Sequence, residues 1–219
     1  LQYFINLMYK IADGVIVLSE NIKVHPNTIV FAALVDEDEL EKVDTVDIEK
    51  KSILFSGSIG KTTGIHVAVK AMDLLQDYHL YITGKFFNFS KIEFENLLKL
   101  NQNSSNITYL GNVPKSEYLN LLSKAEFALS LRDVNEIEHQ YNFPSKIVEY
   151  MSNNKKVIST LRYKSLDDSS YLFTKYLPND LANVIMTNTE AEQPNLRRYV
   201  LNSFGLESFK RAFNLLISK

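Results

Sequence analysis

Ser145, Lys146 and Glu149 lie in one short stretch, Tyr141-Asn-Phe-Pro-Ser-Lys-Ile-Val-Glu-Tyr-Met151, and their types and spacing suit a phosphorylated ligand. The stretch follows an apolar run, Glu126-Phe-Ala-Leu-Ser-Leu131, and a polar loop from Arg132 to Gln140. Pro144 fits the first turn of a helix, where its missing N–H costs nothing. Ile147, Val148 and Met151 give that helix an apolar face. A loop-to-helix junction after a strand offers free N–H groups and a positive dipole end, so it holds anions. Ser145 and Lys146 stand at this junction. Glu149, one turn on, is placed to accept hydrogen bonds from hydroxyls. By itself the segment fits equally an ordinary amphipathic helix with Glu149 in solvent.

A second stretch, Gly57-Ser-Ile-Gly-Lys-Thr-Thr-Gly64, imitates a nucleotide-phosphate loop. A P-loop needs four residues between its first Gly and its Gly-Lys pair. Here two separate Gly57 from Gly60, and the required position is Phe55. The loop is too short to wrap a phosphate, so an NTPase-type module reading through Gly57–Thr62 is rejected on spacing.

Other chemistries are restricted by composition. The 219 residues contain no cysteine, which removes disulfides and thiolate metal sites. His25, His66, His79 and His139 form no metal-ligand spacing, and no metal is expected. The net charge of −2 gives no basic field for nucleic acid. No apolar run reaches the ~18–20 residues of a membrane-spanning helix. The chain opens at Leu1 without a charged leader and reads as a fragment rather than a secreted precursor. A cytoplasmic location is the expectation, with peripheral contact at the inner face of a membrane left open.

The elements that must position these residues alternate as in a doubly wound sheet. Helical spacing covers 1–11, and short apolar strands are expected at 15–18 and 28–31. Eight of the fifteen residues from 36 to 50 are acidic, which predicts an exposed connector rather than a metal site. Strands are then predicted at 51–56, 78–83, 106–110, 126–131 and 155–159, with an edge strand at 171–173. Helices are predicted at 64–75, 92–100, 115–123, 179–187, 191–201 and 206–217. Asn153-Asn154 is the expected stop of the helix that carries Glu149. The fold class is α/β, a Rossmann-like parallel sheet with helices on both faces.

Phe-Pro-Ser-Lys-x-x-Glu-Tyr-Met, followed by Lys-Val-Ile-Ser-Thr, resembles the donor-site segment of the retaining GT-B glycosyltransferases of group 1. Ala12-Asp-Gly-Val-Ile-Val-Leu-Ser-Glu20 is similar to the last helix and strand of that family's N-terminal domain, and Leu110-Gly-Asn-Val-Pro114 to its nucleobase loop. The resemblance implies four segments. Residues 1–33 are the tail of an otherwise absent N-terminal domain, 34–50 a linker, and 51–205 the nucleotide-sugar domain. Residues 206–219 are a C-terminal helix returning toward the N-terminal domain.

The resemblance also implies roles. Backbone N–H groups near Ser145 and Lys146 hold a donor diphosphate, Glu149 takes the ribose hydroxyls, and Asn112 and Val113 flank the base. Gly57, Ser58, Asn142 and Phe143 complete the donor site. The family's Gly-Arg-x-x-x-x-Lys-Gly loop aligns with Gly57–Gly64, but its two cations are replaced by Ser58 and Thr63. Lys61, Arg132 or Lys146 must then neutralise the departing diphosphate, the groups acting on the reaction being Lys61, Arg132, Lys146 and Glu149. The acid that contacts the sugar in many members falls on Tyr141, with Glu136, Glu138 and Asn142 nearby.

The expected activity is metal-independent transfer, with retention and without a cofactor. The sugar comes from a UDP- or GDP-type nucleoside-diphosphate sugar and goes to a glycan or lipid-linked acceptor, as in polysaccharide or cell-envelope synthesis. Loss of the two loop cations keeps a second class open, a non-catalytic GT-B-like partner subunit.

Overall fold

The computed structural model describes residues 8–9, 11–22, 24–37, 47–143 and 145–218. Most of the predicted first helix, Pro144, and the greater part of the acidic connector lie outside these residues.

Six parallel strands form the main sheet, β3 (Ser52–Ser56), β4 (His79–Thr83), β5 (Ile107–Tyr109), β6 (Phe127–Ser130), β7 (Lys156–Ser159) and β8 (Leu172–Phe173), in the order β5-β4-β3-β6-β7-β8. Register pairs Ile53 with Phe127 and Phe127 with Lys156, which brings the loops after β3 and β6 side by side. Because strand order reverses between β3 and β6, their carboxyl ends open the crevice where α/β sheets take ligands.

Alternate residues of the buried strands feed two apolar layers. Ile53, Phe55, Phe127, Leu129 and Ile158 face one layer. Helices α1 (Ile65–Ala71), α2 (Lys91–Lys99) and α6 (Pro178–Asn188) supply Ile65, Phe94 and Leu181 to it. Leu54, Ala128 and Val157 face the other. There α3 (Lys115–Lys124), α5 (Ser145–Ser152) and α7 (Arg197–Phe204) contribute Leu122, Ile147, Met151 and Val200. The central strands are covered on both faces, which is why they read as continuous apolar runs.

The two remaining strands, β1 (Val15–Val17) and β2 (Thr28–Val30), pair parallel with one another, separately from the main sheet. The last helix, α8 (Leu206–Ile217), packs on them: Phe31 meets Phe209 edge-on at 5.2 Å, and Asn27 Nδ2 donates to the Leu216 carbonyl at 3.0 Å. A Cβ at Gly14 would stand 2.6 Å from Leu216 Cδ1, so a larger residue there would make the Leu216 side chain shift. Among the described residues no helix is long and apolar enough to cross a membrane.

Two predicted helices differ from those found. The helix expected over 64–75 stops at Ala71 and continues as a 3₁₀ turn, Met72–Leu74. Its last carbonyls are taken by side-chain amides, Asn101 Nδ2 on Val69 and Asn103 Nδ2 on Met72 and Leu75. The helix expected from 191 begins at Arg197, beyond Pro194, because Asn154 Oδ1 accepts from the Leu196 and Arg197 N–H groups at 2.9 and 3.1 Å.

Asn154 also ends α5. Its φ of 54° is left-handed, its N–H donates to the Met151 carbonyl, and the Lys155 N–H donates to that of Tyr150. These are the two bonds of a Schellman motif. One residue therefore closes the site helix with its backbone and caps α7 with its side chain. Asn154→Ala loses both roles and should cost about 2–3 kcal/mol, a cap plus the left-handed penalty. Asn154→Gly loses only the cap and should cost less, as urea denaturation of the two variants will read.

Candidate donor site

The loop after β3, the loop after β4, the loop after β5 and the N-terminal half of α5 line a trough at the carboxyl end of the sheet. It consists of two cavities of about 380 and 540 Å³ that share Ser58 and Lys146. The larger is bordered by Gly57, Gly84, Lys85, Asn112, Val113, Tyr118 and Glu149. The smaller is bordered by Thr62, Thr63, Phe87, Arg132, Glu138, His139, Asn142, Phe143 and Ser145. The trough thus brings together Gly57, Ser58, Asn112, Val113, Arg132, Asn142, Phe143, Ser145, Lys146 and Glu149 from four separate stretches of sequence.

Lys61 is not among them. Its side chain is largely exposed, and its ammonium lies 3.4 Å from Glu93 at the start of α2. Glu93 is fixed there because its carboxylate accepts from the Ser90 N–H in a capping box, which holds its carboxyl below the usual range. In the described conformation Lys61 lines neither cavity, whereas the other expected cations, Arg132 and Lys146, do. The 57–64 loop also engages some of its own polar groups. The Gly60 N–H donates to Thr63 Oγ1, and Thr63 Oγ1 donates back to the Gly60 carbonyl.

Arg132 is the half-buried cation of the smaller cavity. Its backbone is clasped on both sides by Thr160, whose Oγ1 accepts from Arg132 N at 2.8 Å and donates to Arg132 O at 2.7 Å. Among the described residues no carboxylate lies within ion-pair distance of its guanidinium. Nearby, His139 Nδ1 sits 2.9 Å from the Asp133 carbonyl, so its neutral form carries the proton on Nδ1.

Lys146 and Glu149 hold each other. The ammonium is 3.1 Å from Glu149 Oε2 and 3.9 Å above the Tyr118 ring, so it is turned toward the larger cavity. Beneath them Tyr150 is fully buried, with its hydroxyl 2.8 Å from Ser56 Oγ. Burial pushes the Tyr150 and Tyr118 phenols well above their ordinary range and keeps both neutral. Sequence reasoning missed Tyr118, Phe87 and His139. None stands in a periodic or motif position, and only the folded loops bring them to the trough.

A protein-family comparison matches residues 36–169 to the model described as glycosyl transferases group 1. Among solved structures the chain is similar to TarM of S. aureus, at 14% identity and TM-score 0.74 over 98% of this chain and 45% of that one. Sucrose-phosphate synthase of Thermosynechococcus elongatus matches at 17% identity and TM-score 0.68, over 99% and 61%. HepE of Anabaena, solved with UDP and glucose, matches at 14% and 0.70, over 100% and 66%. At these identities the likeness shows the fold, that of GT-B glycosyltransferases. The chain spans about half the length of the first of these structures. No curated protein matches it.

Proposed function

With residues 36–169 matched, the chain belongs to the group 1 glycosyl transferases, and on that premise we propose that it is the donor-binding half of a retaining, metal-independent enzyme. Its donor is a nucleoside-diphosphate sugar of the UDP or GDP type, and its acceptor a glycan or a lipid-linked sugar. The other domain of a GT-B enzyme supplies the acceptor side. The observation that carries this reading is the trough itself. Its larger cavity offers main chain at Asn112 and Val113 for a base and Glu149 for a ribose. Its smaller cavity offers Ser145 at a helix start and Arg132 for a diphosphate and sugar.

In this mechanism the α5 N–H groups and Arg132 receive the charge that develops as the glycosidic bond breaks. The departing phosphate oxygen takes the acceptor proton, and the sugar passes to the acceptor oxygen on the same face. Glu149 exchanges the Lys146 ammonium for ribose hydroxyls, which frees Lys146 to turn toward the phosphates.

Titration with UDP, GDP and ATP tests the site. Micromolar binding of UDP or GDP, about −8 kcal/mol, is expected. Glu149→Ala should weaken it by about 1.5–3 kcal/mol, one hydrogen-bonded charge. If none of the three nucleotides binds, the donor site is lost.

One observation favours a second reading. Lys61 stands away from the trough, and Ser58 and Thr63 carry no charge, so the 57–64 loop brings no cation to it. In that reading the chain is a non-catalytic GT-B-like partner subunit. Saturable UDP or GDP binding with no transfer, in the presence of a GT-B N-terminal domain, would select it.

A further inference from the structure

The donor-site reading leaves one wall of the smaller cavity without a task. Phe87 lines that wall yet is 63% exposed. It belongs to Gly84-Lys-Phe-Phe-Asn-Phe-Ser90, whose other two phenylalanines are anchored inward. Phe86 packs on Phe94 and Tyr109, with ring centres 5.6 and 5.4 Å away, and Phe89 joins the same core.

The backbone around Phe87 is fixed to the neighbouring loop. Ile59 and Phe86 form a parallel bridge, the Ile59 N–H donates to the Lys85 carbonyl, and the Phe87 N–H donates to that of Ile59, both at 2.8 Å. The Phe87 carbonyl sits so close to Gly60 that a Cβ there would meet it at 2.7 Å. Glycine at 60 thus lets the two loops close, and the closure presents an aromatic ring to the cavity at a set position.

Phe143 and Leu161 add apolar lining, and the remaining wall carries Ser58, Thr62, Arg132, Glu138 and Asn142, which offer donors and acceptors. A ligand that satisfies both kinds of wall has one apolar face and a rim of hydroxyls. A pyranose ring has that form, its axial C–H groups on one face and its hydroxyls around the edge. An apolar acceptor tail would suit Phe87 but strand the polar groups, at a cost for each one left unpaired.

We propose that Phe87 is the platform on which the sugar ring of the donor stacks, and that it contributes to the choice of sugar. The assignment rests on the donor-site reading. It makes Phe87 a contact of the sugar and not of the nucleotide, and the two halves of the ligand separate it from other roles.

The test compares wild type, Phe87→Ala and Phe87→Tyr in titrations with UDP against UDP-glucose and GDP against GDP-mannose. Expected is unchanged binding of the free nucleoside diphosphate by Phe87→Ala. Its binding of the corresponding nucleotide sugar should fall about tenfold, the size of one aromatic contact. Phe87→Tyr, which keeps the ring, should stay close to wild type for both ligands. If Phe87→Ala binds the nucleotide sugars as wild type does, or loses both ligands equally, the platform is overturned while the donor site stands. If wild type binds neither nucleoside diphosphate, both fall together. Exposure of the ring makes a folding defect an unsuitable explanation, and the Tyr variant provides the folded control.

Discussion

With a GT-B N-terminal domain supplied to complete the proposed transferase, Arg132→Ala will lower turnover of the nucleotide sugar by about 10²–10³-fold, the loss seen when one preorganised group is taken from a developing anion. The size follows from its position. The 57–64 loop brings no charge to the trough, with Ser58 and Thr63 on its walls and Lys61 committed to Glu93. In the proposed mechanism the burden of the leaving diphosphate falls on the α5 start, on Lys146 and on Arg132. Of the two side chains, only Lys146 is already engaged by a carboxylate.

The two hydrogen bonds to Thr160 hold the Arg132 backbone before any ligand arrives, so little reorganisation is needed during reaction. Arg132→Lys keeps the charge but not the planar fork, and should recover part of the loss. Release of nucleoside diphosphate from the donor is the readout. A rate within threefold of wild type for Arg132→Ala would remove this residue from the reaction.

Stability depends on a different pair. Glu126→Ala should destabilise the fold by about 3–5 kcal/mol, because it leaves a buried ammonium without its counter-charge. Lys156 Nζ lies 2.9 Å from Glu126 Oε1, and both side chains are nearly inaccessible, at 4% and 0% exposure. The same ammonium donates to the Asn188 and Thr189 carbonyls, and Glu126 Oε2 accepts from the Lys51 N–H, a residue held at a left-handed φ of 59°.

The cluster ties the amino ends of β3, β6 and β7 to the end of α6. It lies at the opposite end of the strands from the trough. Denaturant unfolding of Glu126→Ala should therefore shift strongly, while nucleotide affinity of the folded fraction stays unchanged. Replacing the pair together, Glu126→Leu with Lys156→Met, removes both charges and should recover most of the stability. A shift below 1 kcal/mol in the single variant would show that the bridge carries little.

Much of the fold was legible because the central strands are apolar throughout and the turns carry Gly, Asn and Pro. α8 was read to the residue, its apolar face being continuous over Leu206–Ile217. Boundaries were lost where a distant side chain decides them. Asn154 sets the start of α7 from 42 residues away, and Asn101 and Asn103 share the carbonyls at the end of α1.

The site was legible in part for a similar reason. Ser145, Lys146 and Glu149 sit on one helix, so spacing alone groups them. Lys61 stands apart from them, its ammonium beside Glu93, a neighbour that distance along the chain does not reveal. Phe87 and Tyr118 reach the trough by tertiary contact, for which no local pattern exists. The Lys156–Glu126 bridge was invisible because a charged pair at strand starts looks like ordinary surface.

The Lys146–Glu149 pair has a thermodynamic consequence. The trough is self-neutralised there, so on the proposed donor reading binding exchanges partners and adds no charge. On that reading a nucleoside without phosphate would take Glu149 from Lys146 and leave the ammonium with only the Tyr118 ring. Inorganic diphosphate would draw Lys146 away and leave the carboxylate bare. Each fragment alone would break the pair for half of the reward, whereas the intact nucleotide would repay both partners at once. Selection for the whole molecule over its pieces would then be a property of two side chains one helical turn apart, and the affinities of the fragments should not sum to that of the ligand.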